Sequence, residues 1–448
     1  MDRARTKALE VLIRWAKRGS PMDPLFDEMV VGDPRLTDLD QAFVREVVYG
    51  VMRWQGKLDW IISAYSHIKP HRMERAVIII LRIGAYQILF MDRVPPRAAV
   101  DESVKLAKGI KKQDAVPFVN GILRGIAEGR KEVSYPDLHT NPLDHIATFY
   151  SHPLWIVRRW VDQWGVEETI ALCQADNKIP PFTVRVNTLK GSREKVINQL
   201  RDEKIEATPT PFSPLGIAIT NPPPLDTWGL LQGGLLQVQD EAAQLVSMLL
   251  APQPGERVLD VCAAPGGKTT HLAQLMGDQG EIVAMDVSQP KLGLLQENCR
   301  RLGITIVQTL THDATTPLPF PPGSFDRVLV DVPCTGLGTL KRNPDGKWRV
   351  KEADIPRLQQ IQGKILTQAA TMVKKEGVLV YSTCTMTSEE NGGVIEAFLS
   401  ERKEFRLEDA SLALPPGCEV MVDSAGYLRT LPHRHGMDCF FAARIRRL

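Results

Sequence analysis

The sequence predicts three domains of different class: an all-helical front, a small α+β middle, and a carboxyl-terminal doubly wound α/β domain whose mostly parallel sheet finishes antiparallel. From Gln237 onward, apolar β-branched runs alternate with amphipathic helical stretches, the order that βα units require. Before about Arg130, apolar residues recur only at helical spacing. Between these regions, a few short strand candidates surround one helix and end at the turn Pro222 to Pro224. The expected boundaries are residues 1–134, 144–232 and 233–448.

A chain of 448 residues has room for about three domains of 100 to 200 residues each. Its 43% hydrophobic and 24% charged content is that of a globular protein. The longest apolar run, Ala76 to Leu81, is too short to cross a bilayer, and Met1 to Glu10 lacks the apolar segment of a secretion signal. A cytoplasmic location without membrane partners is therefore expected. Seven cysteines without a CxxC pair argue against a disulfide framework and against a structural zinc site, so no metal is expected. The net charge of +2 conceals an asymmetry, because residues 1–131 carry 23 Lys/Arg against 16 Asp/Glu, a net +7. A basic front suits a polyanionic partner, although a solvated helical surface has the same composition.

In the front third, Ala4 to Ala16 reads as an amphipathic helix. Asp40 to Met52 follows, with Phe43, Val44, Val47, Val48 and Val51 on one face. Arg75 to Phe90 is apolar nearly all round and belongs at the centre of a bundle. The turn Val94 to Arg97 stops it, Ala98 to Lys108 restarts, and Phe118 begins a further helix. The series LRIGAYQILF, VPPRAAVDESVKLAK and FVNGILR resembles the helical RNA-binding domain of the NusB antitermination factor, which implies an RNA-binding or protein-docking module.

Tyr135 to Pro142 reads as a linker, followed by a helical patch from His152 through Trp160 and Trp164. Thr183 to Asn187 is a strand, Ser192 caps a helix to about Arg201, and Ala207 to Pro211 and Gly216 to Thr220 complete the small unit. Trp155, Trp160, Arg158, Arg159 and Arg185 combine aromatic and basic residues, as RNA recognition does. Core packing is the plainer role for the tryptophans.

In the last domain, helices are expected over 240–250, 268–276, 289–302, 355–373 and 389–400. Strands are expected over 257–261, 281–286 and 304–310, with a final one over 439–445 that has a hairpin partner near Glu419 to Val422. Two further strands matter most. FDRVLVDVPC runs through Asp331 to Cys334, and GVLVYSTC runs to Cys384. Ligands of open α/β sheets sit outside the carboxyl ends of the strands, so two thiols delivered there are candidates for one site. A single cysteine would read as a small buried hydrophobe, but two at equivalent strand ends point to chemistry.

The loop Asp260 to Thr270 (DVCAAPGGKTT) has two glycines before a helix, which lets a ligand approach the backbone. A phosphate loop would need glycine where Cys262 stands, and no GxGxxG occurs. The next strand ends in Asp286, placed to accept hydrogen bonds from ribose hydroxyls, and the third ends near Asp313. An acid at each strand end without a phosphate cradle suits an adenosine ligand lacking phosphates, namely S-adenosylmethionine. Helix capping by the individual acids is the competing reading.

DVCAAPGGKTT, DVPCTGLGTLKRNPDGKWR and YSTCTMTSEENGGVI together resemble the Nop/Sun family of RNA cytosine-5 methyltransferases. With the NusB-like front, the whole chain resembles the bacterial branch that methylates a cytosine of small-subunit (16S) ribosomal RNA. The resemblance implies a Rossmann-like methyltransferase domain that uses S-adenosyl-L-methionine and acts on 16S ribosomal RNA as a monomer. It implies that Cys262, Ala263, Ala264, Pro265, Gly266, Gly267 and Lys268, with Asp286, Asp313 and Asp331, hold the cofactor. Cys384 would be the nucleophile and Cys334 would serve product release. Asp331 would stabilise the cytosine adduct or contact the cofactor. Lys268 and Lys341 are both open candidates for assisting the thiolate or holding phosphate. Trp348 is a candidate for stacking on a base taken out of its stack. Gly346 departs from the family pattern, where an apolar residue is common. Three other readings compete: a transfer-RNA enzyme, a non-catalytic RNA-binding factor, and a DNA enzyme that would use the Pro-Cys thiol as nucleophile.

Overall fold

The computed structural model describes residues 2–448. These form two compact units, one of residues up to Ile179 with Leu340–Glu352, the other of Pro180–Thr339 with Ala353–Leu448. No helix among the described residues is long and apolar enough to cross a membrane.

The first unit is helical. Its opening helix, Arg3–Arg18, is capped by the Asp2 carboxylate, which accepts from the Arg5 amide at 2.8 Å, and it ends at Gly19 with φ 62°. A Thr37/Asp40 capping box starts the helix Asp38–Tyr65. That helix runs well past the expected 40–52, because Trp54, Leu58, Ile61 and Ile62 carry its apolar stripe further into the core. Arg75–Phe90 is the central helix, buried from Val77 through Leu81 and again over Ile83 to Gln87. Pro96–Gly109 and Val116–Ala127 pack beside it. Met22–Met29 and Pro142–Phe149 are helices without a strong sequence signal.

Leu340–Glu352 belongs to this unit although it is threaded between strands of the other. Trp348 packs on the helical core, and its indole N–H donates to the Met52 carbonyl at 2.6 Å. The expected stacking platform is therefore core packing. The Met22 amide donates to Asp345 Oδ2 at 3.3 Å. Lys347 is wholly buried, and its Nζ donates to Asn177 Oδ1 at 2.8 Å and to the carbonyls of Arg53 and Ser151 at 3.3 Å. Three converging acceptors suit an ammonium, yet burial pulls the Lys347 pKa down to about 7 against the opposing pull of Asp176. Lys341 is a buried member of the same segment.

The second unit holds two sheets. The smaller is antiparallel, with strands β1 (Phe182–Val186), β2 (Ala207–Pro209), β3 (Gly216–Ile219) and β4 (Leu236–Val238) in the order β2-β3-β1-β4. The larger comprises β5 (Arg257–Asp260), β6 (Glu281–Asp286), β7 (Val307–Thr311), β8 (Phe325–Asp331), β9 (Val373–Thr383), β10 (Phe405–Glu408), β11 (Leu428–Arg429) and β12 (Phe441–Arg447). Its order is β10-β12-β9-β8-β5-β6-β7, parallel from β7 to β9 and antiparallel at β12, with β11 pairing β12. The expected hairpin partner near 419–422 is instead a short 3-10 turn, Cys418–Met421. β10 and β11 take its place, and both are too short to announce themselves as apolar runs.

Alternate strand residues feed two cores, one on each face of the large sheet. Val258, Ile282, Leu329 and Val380 lie in one, and Leu259, Val283, Val328 and Leu379 in the other. Burial on both faces is why these strands read as continuous apolar runs. The chain passes from β5 to β6 and β7 on one side and returns to β8 and β9 on the other. The topological switch therefore lies between β5 and β8, and the crevice outside their carboxyl ends is where a ligand belongs.

Candidate active site

The loop after β5 carries Cys262, Ala263, Ala264, Pro265 and Gly266 into the helix Gly267–Leu275. The Ala264–Pro265 peptide is cis, and Gly266 has φ 102°, a conformation that favours glycine. Lys268, in the first turn of the helix, donates to Asp331 Oδ2 at 2.7 Å, and Ser382 donates to the other oxygen of Asp331 at the same distance. Burial opposes the Lys268 charge, but Asp331 outweighs it by charge and hydrogen bond. Cys384 adds to the effect, so the lysine pKa is raised.

Cys334 and Cys384 follow the neighbouring strands β8 and β9, and their sulfurs lie 3.4 Å apart. Both side chains are partly accessible. The Cys334 thiol is pushed well up by its hydrogen bond with Cys384, then by burial, by the charge of Cys384 and by Glu390. Cys262 is also pushed up, first by burial and then by Asp260, Asp331, Asp286 and Asp313. Asp286, Asp313 and Asp331 line one cavity with Cys262, and Asp260 lines the adjoining one. The rim therefore brings Cys262, Lys268, Asp286, Asp313, Asp331, Cys334 and Cys384 to one sheet edge. Lys341, an expected candidate, lies in the segment that belongs to the first unit.

Asp286 accepts from the Ala264 amide at 3.2 Å and from the Ser288 amide at 2.9 Å. Asp313 accepts from the Thr315 amide and hydroxyl, at 2.9 and 2.8 Å, and the amide bond leads in lowering its pKa. A cavity of about 410 Å³ opens beside them, with Val287, Val332, Pro333, Ile361 and Ile365 as apolar walls. A smaller cavity of about 160 Å³ is lined by Gln239, Asp260, Gly267 and Lys268, and Cys262, Ala264 and Asp331 line both.

Several residues of the site were not singled out by sequence reasoning. Asp260 is buried, and burial raises its pKa to about 7. One of its oxygens accepts from Thr269 at 2.7 Å, and the other has no partner. Gln239 Nε2, also buried, likewise has none. Arg185, expected among RNA contacts, is instead wholly buried and donates to Gln239, to the Gly267 carbonyl at 2.8 Å, to Gln274 Oε1 at 3.0 Å and to Thr270 at 3.1 Å. It anchors the first turn after the loop from behind. Trp160 is buried beside His152, so it too is packing. Glu390 is buried among the cysteine loops. The run Glu389-Glu390-Asn391 close after Cys384 was the available signal for it.

Comparison with known proteins agrees with this architecture. A family model described as 16S rRNA methyltransferase RsmB/F matches residues 247–446, one for the NusB family matches 2–128, and one for an RsmF/B-like ferredoxin-like domain matches 152–226. The chain is 37% identical to the probable ribosomal RNA small subunit methyltransferase B of Bacillus subtilis, over 98% of each chain. It is 33% identical to ribosomal RNA small subunit methyltransferase B of Escherichia coli, over 92% of this chain and 91% of that one. Among solved structures it resembles PH0851, with a TM-score of 0.81 and 30% identity over 98% of each chain. It also resembles NSun6 from Pyrococcus horikoshii, solved with SFG, an analogue of S-adenosylmethionine. That likeness has a TM-score of 0.58 and 25% identity, over 65% of this chain and 97% of that one.

Proposed function

The chain belongs to the ribosomal RNA small subunit methyltransferase B family and uses S-adenosylmethionine, and from that premise we propose that it methylates carbon-5 of a cytosine in 16S ribosomal RNA through a covalent Cys384 adduct. The observation that carries this reading is the pair of sulfurs 3.4 Å apart beside the Lys268–Asp331 ion pair. A non-catalytic RNA-binding factor would have no use for two partly accessible thiols placed together at a cofactor rim.

The residues fit the cofactor. The larger cavity pairs apolar walls with Asp286 and Asp313, as an adenine and its ribose need. The smaller one presents the unpartnered oxygen of Asp260 and the unpartnered amide of Gln239, suited to the ammonium and carboxylate of the methionine end. Cys262 to Lys268 form the floor between them.

Carbon-5 of cytosine is a poor nucleophile until a thiolate adds to carbon-6. Cys384 is assigned that attack on the resemblance of its motif, YSTCTMTSEENGGVI, to the Nop/Sun family, while the hydrogen bond with Cys384, then burial and Glu390, push the Cys334 thiol up. Asp331 lines both cavities and holds Lys268, which supports a role in accepting from the exocyclic amine of the base. Bound S-adenosylmethionine supplies the electrophilic methyl group that the activated carbon-5 takes. Release then needs a base. Once Cys384 has become a neutral thioether, the Cys334 thiol gives its proton to water. The Cys334 thiolate removes the carbon-5 proton, the electrons restore the ring double bond, and the carbon-6 to sulfur bond breaks with its pair returning to Cys384. Both thiols end as they began.

Such a substrate is found where ribosomes are assembled, which agrees with a cytoplasmic location. The test is to incubate the protein with S-adenosylmethionine and 16S ribosomal RNA and map 5-methylcytosine. One cytosine should be modified, and modification of transfer RNA alone would overturn the choice of substrate.

A further inference from the structure

Glu390 is wholly buried, and its carboxylate collects bonds from three directions. One oxygen accepts from the Thr335 amide at 2.9 Å and from Gln362 Nε2 at 3.0 Å. The other accepts from the Thr335 and Thr387 hydroxyls, each at 2.6 Å. Its own carbonyl accepts from the Tyr381 hydroxyl at 2.6 Å. Gln362 also donates to the Pro333 carbonyl at 3.0 Å. The residues before and after Cys334 are thus both held by Glu390, Pro333 through Gln362 and Thr335 directly.

Cys384 is held differently. Its carbonyl accepts from the Gly338 amide at 2.9 Å, and it directly follows strand β9, whose ladder with β8 fixes the backbone to Ser382. Glu390 reaches that loop through the Thr387 hydroxyl and through Thr335, whose hydroxyl also bonds the Thr385 hydroxyl at 2.6 Å. Removing the carboxylate should loosen Cys334, which loses support on both sides, more than Cys384, which keeps the strand ladder before it and the Gly338 bond.

We propose that Glu390 is a positioning residue for product release, fixing Cys334 where it can take the carbon-5 proton while leaving the attack by Cys384 largely independent of it. This rests on the thiol roles assigned above. Misplacing a base by about 1 Å costs on the order of 100-fold in rate, whereas loss of general stability slows every step alike. The two cases are therefore separable by kinetics.

The experiment mixes enzyme, S-adenosylmethionine and labelled 16S ribosomal RNA, quenches in denaturant, and follows formation and decay of the covalent protein–RNA species. Glu390→Gln keeps the shape and removes the charge. Thr335→Val removes the hydroxyl bonds to Glu390 and Thr385, keeps the Thr335 amide bond to Glu390, and guards against a variant of Glu390 that fails to fold. Both should retain cofactor affinity and form adduct within a few-fold of the parent, while adduct decay slows by roughly 10- to 100-fold for Glu390→Gln. Thr335→Val should slow decay less, in the same direction. Parental decay in a folded Glu390→Gln, or formation slowed as much as decay, would overturn the proposal. Cys334→Ala is the control: if it accumulates no adduct, the thiol assignment itself fails, and if it accumulates adduct while Glu390→Gln does not, only the role of Glu390 fails.

Discussion

In the helical unit Lys347 is wholly buried and its Nζ meets three acceptors, whereas in the α/β unit Asp260 and Gln239, nearly as deeply buried, each keep one polar atom without a partner. Unpartnered atoms occur in the helical unit as well, at Trp15 Nε1 and Arg53 Nε. What sets Asp260 and Gln239 apart is that they line the same cavity. A buried polar group whose bonds are complete serves the fold. One left incomplete at the wall of a cavity is waiting for a ligand.

The largest effect is expected from breaking the completed cluster. Lys347→Ala leaves three acceptors unmet and a hole in the packing, which should cost the helical unit about 2–5 kcal/mol. Denaturant titration measures this, and a change under about 1 kcal/mol would mean that the cluster contributes little.

Asp286→Ala sharpens the other side of the comparison. It should weaken S-adenosylmethionine binding by about 1.5–3 kcal/mol, the scale of a hydrogen bond to a charged group, with little change in melting. Calorimetric affinity equal to the parent's would remove Asp286 from the cofactor site.

The smallest effect is a pair of pH slopes of opposite sign, each no more than about 1.4 kcal/mol per pH unit. Asp260 has a raised pKa, so the stability linked to its proton is present below 3.8 and lost as pH rises toward about 7. Lys347 has a lowered pKa, so its linked stability is present above 10.5 and lost as pH falls toward about 7. Asp260→Asn should flatten the acidic window and Lys347→Met the alkaline one. Variant and parent curves that run parallel across either window would contradict the assigned shift.

Much of the α/β unit was legible in the sequence because strands buried on both faces must be continuous apolar runs. Glu281–Asp286 and Gln289–Leu302 fall where periodicity put them. Cys334, Cys384, Asp286 and Asp331 were legible for a related reason: strand ends bring them to one edge whatever the loops do. Arg185, Gln239 and Glu390 were not, since a charged or amide side chain is buried by partners distant in sequence. Trp348 was misjudged on the same ground, and Lys347 was not singled out at all. Their segment sits beside a catalytic motif, but packing decides which unit it joins.

The central claim is that the two adjacent thiols do different work, and denaturing electrophoresis of two variants with labelled 16S ribosomal RNA and S-adenosylmethionine tests it most directly. Cys384→Ala cannot form the bond to carbon-6 and should show neither methylation nor a covalent band. Cys334→Ala can attack and methylate but cannot remove the carbon-5 proton, so a covalent band should accumulate. A band from Cys384→Ala and none from Cys334→Ala would exchange the roles and contradict the account.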